Sequence, residues 1–204
     1  MSFRSMLPTL LLAFALSIFV CVLAAARGST VTLALAAGLF AVQVLFALLR
    51  INVPLWRAPA NPAADFEWAW SNTMLTAFAY AWGATAMFAI YSLTGLAWRH
   101  WWQYGAIMAL LALATLWFAH QLANGRDRQA QARSLNILLV MTGLQLAAVV
   151  IALAYLVSSG KLATEKADWA ANVVFLAGGL TVAAISLASL HTYRRRRALE
   201  PTRA

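Results

Sequence analysis

The sequence predicts an all-α, polytopic integral membrane protein: one bundle of six transmembrane helices joined by short loops. Three observations carry this. First, of 204 residues, 63% are hydrophobic and only 10% are charged, and the mean hydropathy is +0.75. A soluble domain carries about 25% charged residues, so this chain has too little polar surface to face water all round. Second, six runs at 7–26, 31–49, 74–96, 104–123, 137–157 and 170–190 contain no Asp, Glu, Lys or Arg. Each is close to the roughly 20 residues that cross a hydrocarbon core. Third, there is no alternating pattern of a barrel. In lipid the backbone must satisfy its own hydrogen bonds, so these runs are helices. The length fits a single domain over 1–204.

The first run ends in "LAAAR" (23–27), where Ala24 and Ala26 resemble an A-x-A cleavage site. The run is longer than the roughly 7–15 residues of a signal-peptide core, so a retained helix is expected. "RGST" (27–30) is a tight turn into the second run. The longest polar stretch, from Arg50 to Thr73, holds Pro54, Pro59 and Pro62. Asn61 before Pro62 suits an N-cap with proline in the first helical position. Asp65 and Glu67 then sit at the positive end of that helix. It is expected to lie partly in the interface before entering the membrane as the third span.

Between the third and fourth runs stands "AWRHWWQYG" (97–105). In a helix, Trp98, Trp101 and Trp102 share one face. Tryptophan favours the headgroup level, where its ring is in lipid and its N–H finds a polar partner. The cluster reads as a marker of the outer surface. The fourth run stops at Asn124-Gly125, and "NGRDRQAQARS" (124–134) is a basic turn. "HTYRRRR" (191–197) follows the sixth run. Its block of Arg194, Arg195, Arg196 and Arg197 should anchor that helix end at an anionic leaflet.

Orientation follows from the cations. With the N-terminus inside, the inner segments hold eleven: Arg4, Arg50, Arg57, Arg126, Arg128, Arg133, Arg194–Arg197 and Arg203. The outer ones hold four, Arg27, Arg99, Lys161 and Lys166. That asymmetry puts both termini in the cytoplasm. With the short loops, it fits a bacterial inner membrane. The net charge of +9 is therefore topogenic, and nucleic acid is not an expected partner. The single cysteine, Cys21, lies inside an apolar run and has no second thiol for a disulfide or a metal pair.

"DFEWAWSN" (65–72) precedes the third run and "KADWAAN" (166–172) the sixth. Each has an acid before Trp and an Asn after it, as an inverted three-plus-three repeat would. The spacing differs by one, and helix-start acids with interfacial tryptophans give the same likeness without a repeat.

Little in the sequence suggests chemistry. No ionisable residue lies at the midplane, where proton-coupled pumps need one. Neither a catalytic nor a nucleotide-binding motif is present. The expected function is that of a non-catalytic accessory or scaffolding subunit. It would be surrounded by the bilayer and packed against other membrane subunits or its own copies, with no cofactor or metal. Small pairs such as Ala34/Gly38, Gly143/Ala147 and Gly179/Ala183, and the stripe Ala77, Ala81, Thr85, Ala89, suit close helix packing. One alternative is a small transporter or channel for a neutral solute, its path lined by Gln43, Tyr80, Thr85 and Gln145. Another is a redox subunit for haem b or quinone, with His120 and His191 as the two axial ligands. His100 has no second ligand nearby in the sequence.

Overall fold

A computed structural model describes residues 3–28, 30–55, 61–94, 101–125, 127–158 and 166–199. They form six helices: α1 (Phe3–Ala26), α2 (Thr30–Leu55), α3 (Pro62–Thr94), α4 (Trp101–Asn124), α5 (Arg128–Ser158) and α6 (Lys166–Leu199). No strand occurs among the described residues. Three helical segments are long and apolar enough to cross a membrane: Phe3–Ala24, Gly105–Asn124 and Arg128–Tyr155. In α2 the apolar segment is the shorter Gly38–Pro54.

Local sequence explains the ends. Gly28, at φ +66°, makes the turn between α1 and α2, a conformation that costs glycine little. Asn61 caps α3 as its sequence suggests: Oδ1 accepts from the N–H of Ala63 at 3.0 Å, and its carbonyl from that of Asp65 at 2.9 Å. α4 stops at Asn124, where the Gly125 N–H still reaches the Gln121 carbonyl at 2.8 Å. Asp127 caps α5 by accepting from the Ala130 N–H at 2.7 Å.

The helices run further than the apolar runs. α3 begins at Pro62, twelve residues before the third run, and α6 continues to Leu199. Apolar composition marks only the apolar part of a helix. The hydrogen-bond ladder propagates into polar sequence until a cap or proline ends it. At 1.5 Å per residue the 34 residues of α6 span about 51 Å, well beyond a bilayer core of about 30 Å.

Two apolar clusters hold the bundle. One joins α1, α2, α3 and α6 through Phe3, Leu10, Phe40, Ile51, Leu75, Trp82 and Val182. Within it Phe40 stacks on Trp82, with centroids 4.2 Å apart and planes 5° from parallel. The second joins α3, α4, α5 and α6 through Ala69, Leu122, Leu135, Leu138 and Leu190. α3 belongs to both and packs against α1, α2, α4 and α6. It is the central helix, which accounts for its buried polar content: side chains there cannot reach water and must pair with one another.

Candidate functional site

The start of α3 gathers a closed polar network. Asp65, Trp68 and Asn72 lie on one face of the helix, at i, i+3 and i+7. Asn72 faces Asn52 of α2, and the two amides exchange hydrogen bonds, each 3.1 Å. The Asn52 amide also donates to the Leu48 carbonyl at 2.7 Å, and its oxygen accepts from the Trp68 indole at 2.5 Å. Asn72 gives its other proton to the Trp68 carbonyl at 3.1 Å. Asn52 thus uses both donors and both acceptor positions. Two amides bonded in this way form a lock between helices, and Asn52 has nothing left for a ligand. Beside it, the Phe3 N–H donates to Ser71 Oγ at 3.3 Å, tying α1 to the same end.

Asp65 is buried, 7% exposed. Arg196 of α6 reaches it with one nitrogen, Nη1, at 2.6 and 2.8 Å from the two carboxylate oxygens. Next along α6, Arg197 donates to Gln131 of α5 at 3.1 Å, and Gln131 in turn donates to the Gly125 carbonyl at 3.1 Å. The arginine block therefore does more than the anchoring expected of it from sequence. Two of its members fasten α6 to α3 and α5.

Midway along the bundle lies a cavity of about 440 Å³. Its wall comes mainly from α2, α3 and α6, with Met108 of α4 and Val149 of α5. Phe40, Val44, Leu48, Trp82 and Val182 form a buried apolar interior, and Thr76, Tyr80 and Thr181 add hydroxyls. On one side the rim includes Val42 and Leu45, which are 61% and 50% exposed. A second, smaller cleft of about 140 Å³ lies between α1 and α2.

The residues of the expected solute path are dispersed. Tyr80 lines the large cavity, while Gln43 lines the small cleft with Ser5, Thr9 and Arg50. Thr85 is exposed on α3 and donates to the Ala81 carbonyl at 2.8 Å. Gln145 is buried on α5, and both its amide atoms lack a hydrogen-bond partner, as does the hydroxyl of buried Ser186 on α6. The rings of His120 and His191 are both exposed, and α4 and α6 do not pack directly against each other. His120 Nδ1 instead lies 3.1 Å from the Asn124 amide nitrogen on its own helix. Trp98 and His100 lie outside the described residues, as do the side chains of Trp101 and Trp102. The same holds for the side chains of "KADWAAN", whose likeness to "DFEWAWSN" can be followed only on α3. Among the described residues, no three His, Cys, Asp or Glu stand together as metal ligands would.

Sequence reasoning missed Asn52, Trp68, Asn72 and Gln131 as positioning residues because all four lie outside the apolar runs. The signal was present in the period of Asp65, Trp68 and Asn72, once the helix is extended back to Pro62.

Among the described residues these features define an all-helical fold around α3, with three segments long and apolar enough to cross a membrane. No protein-family model, curated protein or solved structure matches it.

Proposed function

We propose that this chain is a six-span, non-catalytic integral membrane protein acting as an accessory or scaffolding subunit. In this reading it sits in a bacterial inner membrane with both termini in the cytoplasm, and α5 packs against helices of a partner or a second copy. The observation that carries it is on α5. Val140, Leu144, Ala147 and Ile151 point outward, and half-buried Gly143 stands among them. A Cβ built on Gly143 would meet nothing within 4 Å. A small-xxx-small pair flanked by branched side chains lets a second backbone approach closely, where lipid supplies no hydrophobic drive for association. Gly143 makes no such approach within its own chain.

Native mass spectrometry of gently extracted protein tests the reading. A stable hetero- or homo-oligomer that falls apart in a Gly143→Leu variant is the expected result. A monodisperse monomer, before and after substitution, would overturn it.

A further inference from the structure

The cavity between α2, α3 and α6 is where the chain holds space it could have filled. Gly178 lies in its wall, and a Cβ added there would meet nothing within 4 Å. At neighbouring Gly179 the nearest atom is a methyl of Val149, 3.8 Å away. Neither glycine is demanded by tight packing within the chain, and both lie in a helix, where glycine costs about 1 kcal/mol relative to alanine. At about 440 Å³ the space falls within the range of small-molecule pockets, about 300–1,000 Å³.

The wall states what would enter. Among the described residues it contains no charged side chain, so a phosphate, carboxylate or ammonium group would be stranded there without a counter-ion. Thr76 and Thr181 already donate to the carbonyls of Asn72 and Ala177, at 2.9 and 2.8 Å. Toward a ligand they can only accept. The Trp82 indole is engaged as well, donating to Ser17 Oγ at 2.7 Å. Tyr80 is left as the side-chain donor of the wall. The exposed rim at Val42 and Leu45 belongs to the apolar middle of α2, far from the polar end at Asn52. An occupant therefore arrives sideways from hydrocarbon and not from water.

We infer that this cavity binds an uncharged membrane lipid, with a hydrocarbon chain along α2 and α6 and a single hydroxyl or carbonyl oxygen at Tyr80. The inference rests on the membrane reading above, though not on the partner at α5.

Photolabelling of the full chain in phosphatidylcholine vesicles tests it. The probe is hexadecanol carrying a diazirine on its chain. Flotation of the vesicles first establishes that the chain is membrane-embedded; a chain that stays soluble fails the membrane reading itself. For an embedded chain, the expected result is saturable labelling of segments 40–48, 76–82 and 177–182. Excess unlabelled hexadecanol removes it, and Gly178→Phe, which fills the space, lowers it at least tenfold. Val149→Phe fills the same space from α5, so a folding defect in one variant leaves the other to decide. Tyr80→Phe should weaken labelling by the alcohol several-fold and leave labelling by a diazirine-bearing alkane unchanged. Labelling that rises linearly with probe, spreads over all outward-facing residues and survives both filling variants would overturn the site. Equal saturable labelling by a photoreactive phosphatidylcholine would overturn the uncharged head group.

Discussion

Arg196, near the end of α6, places one guanidinium nitrogen between both carboxylate oxygens of Asp65, in the first turn of α3, at 2.6 and 2.8 Å. The partners are 131 positions apart. Asp65 is almost fully enclosed, while the Arg196 side chain is 44% exposed. The ion pair is thus asymmetric: the acid has given up water, and the base has not. Removing the base should therefore hurt more than its own exposure suggests, since it strands a buried carboxylate. The positive end of α3 supplies partial compensation. We expect Arg196→Ala to cost about 1–3 kcal/mol, below the value for a fully buried pair because solvent already screens the arginine. Asp65→Asn should cost less, since a neutral amide needs no counter-charge. Thermal melts in mild detergent check the order; equal losses in the two variants would contradict it.

The amide pair makes a second case. Asn52→Leu leaves the Trp68 indole N–H and the Asn72 oxygen without partners, whereas Asn72→Leu takes one partner from each end of the Asn52 amide, which keeps its bonds to Leu48 and Trp68. The first should cost about 1–3 kcal/mol, the cost of a buried group left unsatisfied, and the second less, nearer the roughly 1 kcal/mol of a lost hydrogen bond. The double variant should cost clearly less than the sum, because the second substitution removes groups that the first had orphaned. Unfolding of the two single variants and the double variant measures the difference. Strict additivity would show that the two amides do not act as one unit.

The apolar runs locate the six helices, and Asn61-Pro62, Gly28 and Asn124-Gly125 mark ends that the structure keeps. They do so because those signals are local: hydropathy acts residue by residue, and a cap involves two or three neighbours. The lock at the polar end was illegible for the opposite reason. Asn52, Asp65, Gln131 and Arg196 acquire their meaning only when α2, α3, α5 and α6 converge, and nothing in the sequence pairs them. Reading Asp65 as a helix-start acid is correct as far as it goes. It misses that the same carboxylate is held by another helix. The stretch "HTYRRRR" likewise reads as uniform charge, yet Arg196 and Arg197 have inward partners, while Arg194 and Arg195 are exposed.

Glycines that look alike in sequence separate in the structure. A Cβ on Gly105 of α4 would sit 3.2 Å from the Phe88 ring of α3, whereas one on Gly38 or Gly143 would meet nothing within 4 Å. Gly105→Leu should therefore destabilise the isolated chain by about 1–3 kcal/mol through overpacking. Gly143→Ala should stabilise it by up to about 1 kcal/mol, the helix-propensity gain unopposed by any clash. Thermal melts of the detergent-solubilised monomer compare the two. Loss of stability in Gly143→Ala would mean that the outward face of α5 is occupied within the monomer.

Topology is the broadest prediction: geometry groups the helix ends, and charge alone proposes the side on which they lie. The bond from Phe3 to Ser71 puts the start of α1 beside the start of α3. Asn52 with Asn72 adds the end of α2, Asp65 with Arg196 the end of α6, and Arg197 with Gln131 the start of α5. The start of α1 and the end of α6 therefore lie at one end of the bundle, together with Arg4, Arg50, Arg128, Arg133 and Arg194–Arg197. In the reading proposed above, positive-inside bias puts that end in the cytoplasm. A reporter that is active only in the cytoplasm, fused after Arg203, should be active. The same reporter inserted in the 27–30 turn, at the opposite end between α1 and α2, should be silent. Replacing Arg194, Arg195 and Arg133 by Gln removes cations that have no part in the ion pair or in the Arg197–Gln131 bond, and should lower the fusion's activity without loosening the bundle. A fusion after Arg203 that is active only outside the cytoplasm would reverse the proposed orientation of the whole bundle, since the bonds to Ser71 and Asp65 tie the start of α1 and the end of α6 to the same part of α3.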